Sequence, residues 1–221
     1  MNSEISSILY LVIVTLAAYL LGSMPFARWV AQGVFSADLS TKGSGNYGAT
    51  NALRVVGPAA GAIVLLADLL KGVAAALIPG LLFQDLPGIQ AISALAAVIG
   101  HNWSIFNGFS GGRGVATGIG AGLVIYPVVV IAAVIVGVGL VAALRYVSLG
   151  SLIGTLIAVL LAFTLYFTGL WQSPWGMVYV ALGSAMIIWR HHDNLKRLAA
   201  GKELQLAAWP TYFKRARRPR R

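Results

Sequence analysis

With 221 residues, 58% of them hydrophobic and 10% charged, and a mean hydropathy of +0.82, the chain falls outside the soluble globular class, whose domains carry about 25% charged residues. It has no cysteine, which removes disulfides, thiol nucleophiles and cysteine metal sites, and three histidines with six acids leave too little for a metal cage. The net charge of +10 resembles that of a nucleic-acid binder, but an excess of Lys and Arg on the inner side of a membrane accounts for it; the expectation is an integral membrane protein with no nucleic-acid partner.

Residues 5–27 carry no charge over 23 positions, enough for one helix across a core of roughly 30 Å. Glu4 is the only charge before Arg28, so the positive start of a signal peptide is missing and the run reads as a span with its N-terminus outside. Gly22, Ser23 and Pro25 interrupt its inner end.

The polar stretch 41–54 follows, and it is the feature around which the apolar remainder is arranged. Gly43, Gly45 and Gly48 let the backbone approach a ligand closely and turn N–H groups toward an anion. Ser44, Asn46, Thr50 and Asn51 add neutral hydrogen-bonding groups. Lys42 supplies a point charge and Arg54 a planar fork suited to phosphate. No acid occurs between Asp38 and Asp68. The pattern fits a phosphate-binding loop; the alternative is a polar turn between spans, for which it is long.

The second span, 58–83, holds Asp68 and Lys71 near its middle, spaced to meet on one helical face. They form either a structural ion pair or, for Lys71, part of a path for an anionic substrate. Residues 84–88 have an acid and no base and are expected outside. A third span from residue 89 leads through His101 into a second glycine-rich basic loop, where Gly111, Gly112 and Gly114 surround Arg113 just before a helix start. His101 reads as a phosphate ligand or a hydrogen-bonded interfacial histidine.

Residues 114–144 are 31 positions with Arg113 and Arg145 at their borders and Pro127 near the middle; 146–189 are 44 uncharged positions with a turn around 171–175. Two spans in each leave no Lys or Arg on the outer side, whereas one span in each strands Arg145 outside. The expected fold is therefore an all-α integral membrane protein with seven transmembrane helices, some short, the N-terminus outside and the C-terminus cytoplasmic. Gly114, Gly118 and Gly122 have the spacing for close helix packing. Beyond the last span, His191, Asn194 and Leu198 share one face of a helix that continues into the cytoplasm, with His191 a candidate base or phosphate ligand and Asn194 a candidate orienting group. The chain divides into a polytopic domain, 1–203, and a basic tail, 204–221, in which Lys214, Arg215, Arg217, Arg218, Arg220 and Arg221 suit anionic lipid head groups.

Three polar clusters with Lys or Arg on one side of a membrane describe a site for a phosphorylated molecule beside helices that can hold a lipid chain. A G-x-S-x-G elbow, an H-E-x-x-H helix and a Walker A loop are all absent, and five residues after His101, His191 and His192 stand Phe106, Lys196 and Arg197 rather than the acid of a His-x4-Asp acyltransferase box. A transporter of a phosphorylated solute could use the same loops, but three clusters on one face fit alternating access poorly.

Gly43-Ser44-Gly45-Asn46 through Asn51 and Arg54, Gly100-His101 through Gly114-Val115-Ala116-Thr117, and Arg190-His191-x-x-Asn194 through Gly201-x-Glu203 resemble the three motifs of the bacterial acyl-phosphate:glycerol-3-phosphate acyltransferase family, PlsY. The likeness runs from about residue 20 to residue 203. It implies a cytoplasmic-membrane enzyme of phospholipid synthesis that moves a fatty acyl group from acyl phosphate to the 1-hydroxyl of glycerol 3-phosphate, releasing phosphate and using no cofactor and no metal. It also implies that Ser44, Arg54, His191 and Asn194 are catalytic. Gly111, Gly112, Arg113 and Gly114 would bind phosphate, Glu203 would be structural, and an acyl-CoA donor is the main competitor within the class. The second motif departs from the usual Lys-Gly-Gly-Lys-Gly: Ser110 stands at the first lysine and Arg113 at the second.

Overall fold

The computed structural model describes residues 3–206 apart from 87 and 172, and among the described residues the regular structure is entirely helical. The basic residues of the tail, Lys214 to Arg221, lie outside the described residues.

Helix α1 (Ser3–Ser23) stops where Pro25 removes a donor from the ladder. A short α2 (Phe26–Trp29) and a π turn (Val30–Val34) follow. The stretch expected as a loop over 41–54 is a loop only to Gly48. Its last third is α3 (Ala49–Val55), which carries Thr50, Asn51 and Arg54. The main helices are α4 (Pro58–Leu82), α5 (Ile89–Asn102), α6 (Val115–Ile125), α7 (Pro127–Leu144), α8 (Val147–Phe167) and α9 (Pro174–Arg190). Pro58, Pro127 and Pro174 each sit at a first position, where the missing N–H has no partner to lose. The run 114–144 breaks at Tyr126–Pro127 and the run 146–189 breaks between Phe167 and Pro174, as expected.

Among the described residues five stretches are long and apolar enough to cross a membrane: Ile5–Val34, Pro58–Leu82, Ile89–Asn107, Pro127–Leu144 and Val147–Phe167. Helix α6, with 11 residues, and α9, with 17, are shorter. The last helix, α10 (His192–Ala199), does not continue α9. The chain turns at His191, which ends one helix and accepts from Leu195 N–H at 2.9 Å in the next. His191 and Asn194 nevertheless both face inward, each 1% exposed.

The closest helix pairs are α4 with α6, α1 with α5 and α7 with α8. Glycines bring their backbones close: a Cβ on Gly72 would collide with the Thr117 carbonyl, and one on Gly120 with the Leu69 carbonyl. The 114–118–122 stripe is not this contact. Gly118 and Gly122 look onto Tyr179 of α9, whose hydroxyl donates to the Gly118 carbonyl at 2.6 Å. Gly114, at φ 80°, is instead the residue that starts α6.

Candidate functional site: three motifs around an arginine cluster

The first loop is built on Asn51. Its Oδ1 accepts from Ser44 N–H at 2.9 Å, and its Nδ2 donates to the carbonyls of Leu39 and Lys42, both at 3.1 Å. Asn51 is 2% exposed, so all of its hydrogen-bonding capacity toward the loop is spent inside it. In this arrangement its amide shapes the loop. Gly43 (φ 64°) and Gly45 (φ 70°) take the left-handed turns that wrap the chain around this amide. A side chain at Gly43 would run into Asn51 Oδ1. Ser44 and Asn46 come out half-buried and Lys42 exposed on the outer surface of the loop. Arg54, one turn along α3, donates from NH2 to the Leu204 carbonyl at 3.0 Å.

The second loop is held by Arg190. Its Nε donates to the Gly112 carbonyl at 3.0 Å and its NH2 to the Gly111 carbonyl at 3.2 Å, while the guanidinium lies 5.5 Å from the centre of the Trp103 ring. Gly112 N–H donates back to the His101 carbonyl at 3.0 Å. Gly111 and Gly112 are buried against His101 so closely that a Cβ on either would overlap it. Arg113 then projects from the loop with Gly114 capping α6 behind it.

Lys71 and His101, two expected substrate ligands, both turn to Asp68, with His101 also packed against Gly112 of the second loop. Lys71 Nζ lies 2.8 Å from Asp68 Oδ1, donates to the Met24 carbonyl at 3.3 Å and sits 5.7 Å from the Phe26 ring centre. His101 Nδ1 lies 3.4 Å from the same Asp68 oxygen. Asp68, Lys71 and His101 are 2%, 4% and 7% exposed. An unpaired charge at that depth is expensive, so the lysine is consumed by the carboxylate and by the carbonyl freed where α1 breaks. The trio is a buried brace between α4, α5 and the end of α1, and the ion-pair reading of Asp68 and Lys71 holds.

The third motif contributes His191 and Asn194. His191 Nδ1 is 2.7 Å from the Ile187 carbonyl. A carbonyl only accepts, so Nδ1 bears the proton and Nε2 keeps its lone pair. Burial lowers this imidazole to about 4, helped by Arg113 and Arg190 and opposed by the Ile187 carbonyl and Glu203; it is neutral at neutral pH. Asn194 Nδ2 donates to Glu203 Oε1 at 2.6 Å, leaving Asn194 Oδ1 buried without a partner. Glu203 also accepts from Ser148 Oγ at 2.9 Å and from Arg197 Nε at 2.9 Å. Burial opposes ionisation of Glu203, but these donors outweigh it and hold the carboxyl below its usual range.

Charge draws the three motifs into one site. Burial lowers Arg113 to about 10, and Arg197, Arg54 and Arg190 push the same way while Glu203 resists. Four guanidinium groups from three motifs thus share one field, with Glu203 acting against them. Such a cluster is arranged for an anion carrying more than one charge. Arg190, Arg197 and Ser148 were missed as site residues by sequence. The available signal was Arg190 following 44 uncharged positions directly before the histidine pair. His192, half-open to solvent and 3.0 Å from Asp193, stands apart from the site, and no group of three metal-ligating side chains occurs among the described residues.

Beside the cluster an apolar groove of about 480 Å³ runs between α4, α6, α7, α8 and α9. Its lining includes Thr50, Val115 and Ile187, which lie within about a turn of Arg54, Arg113 and His191 along the chain.

A family model described as glycerol-3-phosphate acyltransferase matches residues 12–201. The chain is 41% identical over 196 residues to a glycerol-3-phosphate acyltransferase of Halalkalibacterium halodurans, covering 88% of this chain and 94% of that one. It is 40% identical over 201 residues to that of Shouchella clausii, covering 90% and 97%. Among solved structures it is similar to PlsY (YgiH), an integral membrane glycerol 3-phosphate acyltransferase. The glycerol 3-phosphate form superposes with a TM-score of 0.83 at 35% identity, over 92% of this chain and 99% of that one. The lysophosphatidic acid form gives 0.79 at 35% identity, over 90% and 96%.

Proposed function

The chain belongs to the glycerol-3-phosphate acyltransferase family, and we propose that it moves a fatty acyl group from acyl phosphate to the 1-hydroxyl of glycerol 3-phosphate, giving lysophosphatidic acid and phosphate. It is a multi-pass membrane protein. In our reading it crosses the bacterial cytoplasmic membrane seven times, counting the short α6 and α9, with its motifs on the cytoplasmic face and its basic tail on anionic lipid head groups. The observation that carries the reading is the adjacency of the arginine cluster to the mouth of the groove. One end of the site suits two phosphoryl groups and the other suits an acyl chain.

In the reaction the hydroxyl oxygen attacks the acyl carbonyl carbon. A new ester C–O bond forms, the bond from that carbon to the phosphate oxygen breaks, and phosphate departs with the electron pair. Arg54 and Arg113, with Ser44 beside them, hold the phosphate on which that charge grows. His191 and Asn194, each 1% exposed beside Arg113 and Glu203, are the pair that orients the attacking hydroxyl in our reading, and reaching them requires the site to open around the substrate. The proton passes either to His191 or to the departing phosphate, and the burial that lowers the imidazole to about 4 favours the phosphate. Gly43, Gly45, Gly111, Gly112 and Gly114 shape the loops around the phosphates. Lys42, Asn46 and Thr50 complete the rim, and Asn51 holds the first loop in form.

Phosphate release by the purified protein in detergent tests the reading, with acyl phosphate supplied in the presence and absence of glycerol 3-phosphate. Release that requires both, with lysophosphatidic acid as product, supports it. Turnover of acyl-CoA instead moves the assignment to the other donor, and silence with both donors sinks the acyltransferase.

A further inference from the structure

Small residues open the groove between α7 and α8, Gly137 and Ala133 on one side and Gly150 and Gly154 on the other, and Val130 and Ala158 stand at the far end of this lining from Val141 and Val147. Behind Val130 and Ala158 the space is filled. A Cβ on Gly122 would lie 2.6 Å from Val130 Cγ2 and 3.4 Å from Tyr179 Cε1, so Val130 is wedged in place. Ala158 packs on a buried cluster in which Tyr126, fully enclosed, stacks on Trp171 at 4.7 Å between ring centres. Such a close-packed backing cannot yield to an entering methylene without displacing rings.

The dimensions are those of one fatty chain. Val141 to Val130 on α7 and Val147 to Ala158 on α8 each span eleven residues, a depth of about 16 Å at about 1.5 Å per residue. A zigzag of C–C bonds of about 1.5 Å advances roughly 1.3 Å per carbon, so about 13 carbons reach the floor extended. With a methylene taking about the room of a water molecule in the liquid, roughly 30 Å³, the groove volume of about 480 Å³ takes about 16 carbons once the chain bends.

Resting on the acyltransferase reading above, we propose that Val130 and Ala158 form the floor of the groove and set the acyl-chain length this protein accepts, with Ala158 the specificity-determining position. A chain that ends at the floor fills the groove. A longer one must fold back or leave methylenes at the mouth, where they pull the acyl carbonyl away from Arg54 and Arg113. A larger residue at 158 moves the floor toward the mouth, and a smaller one at 130 moves it away.

The test is a kcat/KM profile for the full-length protein in detergent, with glycerol 3-phosphate and donors from decanoyl to stearoyl, as acyl phosphates or as acyl-CoAs according to which the wild type turns over. The wild type is expected to peak at myristoyl or palmitoyl. Ala158→Phe should lower the palmitoyl value by at least about tenfold while the decanoyl value changes less than about threefold. Val130→Ala should raise the stearoyl-to-myristoyl ratio, and its profile decides alone if Ala158→Phe does not fold. A flat wild-type profile, or variants that scale all chain lengths equally, overturns the floor while leaving the acyltransferase intact. A wild type inert with every donor sinks the enzyme reading and this inference with it.

Discussion

Arg190 Nε donates to the Gly112 carbonyl at 3.0 Å, and the same guanidinium reaches the Gly111 carbonyl at 3.2 Å. Two consecutive carbonyls of a glycine-rich loop are thereby turned toward a cation from α9. The peptide groups of the loop are fixed in one sense, and Arg113 is aimed into the shared field. Planar, two-pronged donation of this kind is peculiar to a guanidinium, and a lysine cannot reproduce it.

Arg190→Lys is therefore expected to lower kcat/KM by about tenfold and Arg190→Ala by about a hundredfold, with KM for the phosphorylated substrates rising more than kcat falls. Steady-state kinetics with each substrate varied in turn check this. Equal KM values in Arg190→Ala and the wild type would remove Arg190 as the residue that positions the second loop.

The helix breaks were legible in the sequence because their signal is local. Uncharged runs, a proline at Tyr126–Pro127 and the turn before Pro174 mark helix ends without reference to anything distant. The candidate residues of the three motifs drew notice for a related reason: glycines and cations are conspicuous in apolar surroundings. What each residue does was less legible. Lys71 and His101 look like ligands until it is known that α5 lays His101 against Asp68, a contact across 33 positions. Asn51 looks like a substrate contact until the loop folds back over it. The groove is the space left between helices, so it has no residue pattern of its own beyond the small side chains on α7 and α8.

Glu203 gathers Asn194, Ser148 and Arg197 onto one carboxylate. Glu203→Gln leaves Arg197 facing three other guanidinium groups without its counterion. Removing one partner of a buried ion pair costs about 3–5 kcal/mol. Arg197 is 32% exposed at its side chain, so roughly 2 kcal/mol is expected here after solvent screening. Thermal unfolding in detergent should show Glu203→Gln well below the wild type and Glu203→Gln/Arg197→Gln partly recovered. A double variant no more stable than the single one would contradict the pairing.

His191 gives a pH dependence with a definite sign. Its folded value of about 4 lies below the ordinary imidazole value of 6.5, so between those values the unfolded chain binds a proton that the folded protein refuses. The stability this contributes is full above about pH 6.5 and is lost as pH falls toward 4. His191→Gln removes the difference. The gap in melting temperature between wild type and variant should therefore shift in favour of the variant as pH is lowered from 7 to 4.5. A gap that stays constant over that interval would mean that His191 titrates alike in both states.

Lys71 separates a brace from a substrate path. If it braces α4 against the broken end of α1, Lys71→Met strands Asp68 beside His101 and destabilises the protein by about 3–5 kcal/mol. Asp68→Asn/Lys71→Met, which removes both charges at once, should recover most of that loss. The surviving double variant should bind glycerol 3-phosphate with a KM within about threefold of the wild type, because Lys71 stands outside the arginine cluster and donates to Asp68 and Met24 instead. A lysine that held the substrate would behave in the opposite way: KM would rise by at least about tenfold in the double variant however stable it was, since a charge-assisted hydrogen bond is worth about 1.5–3 kcal/mol. Melting temperature and KM measured on the same preparations distinguish the two.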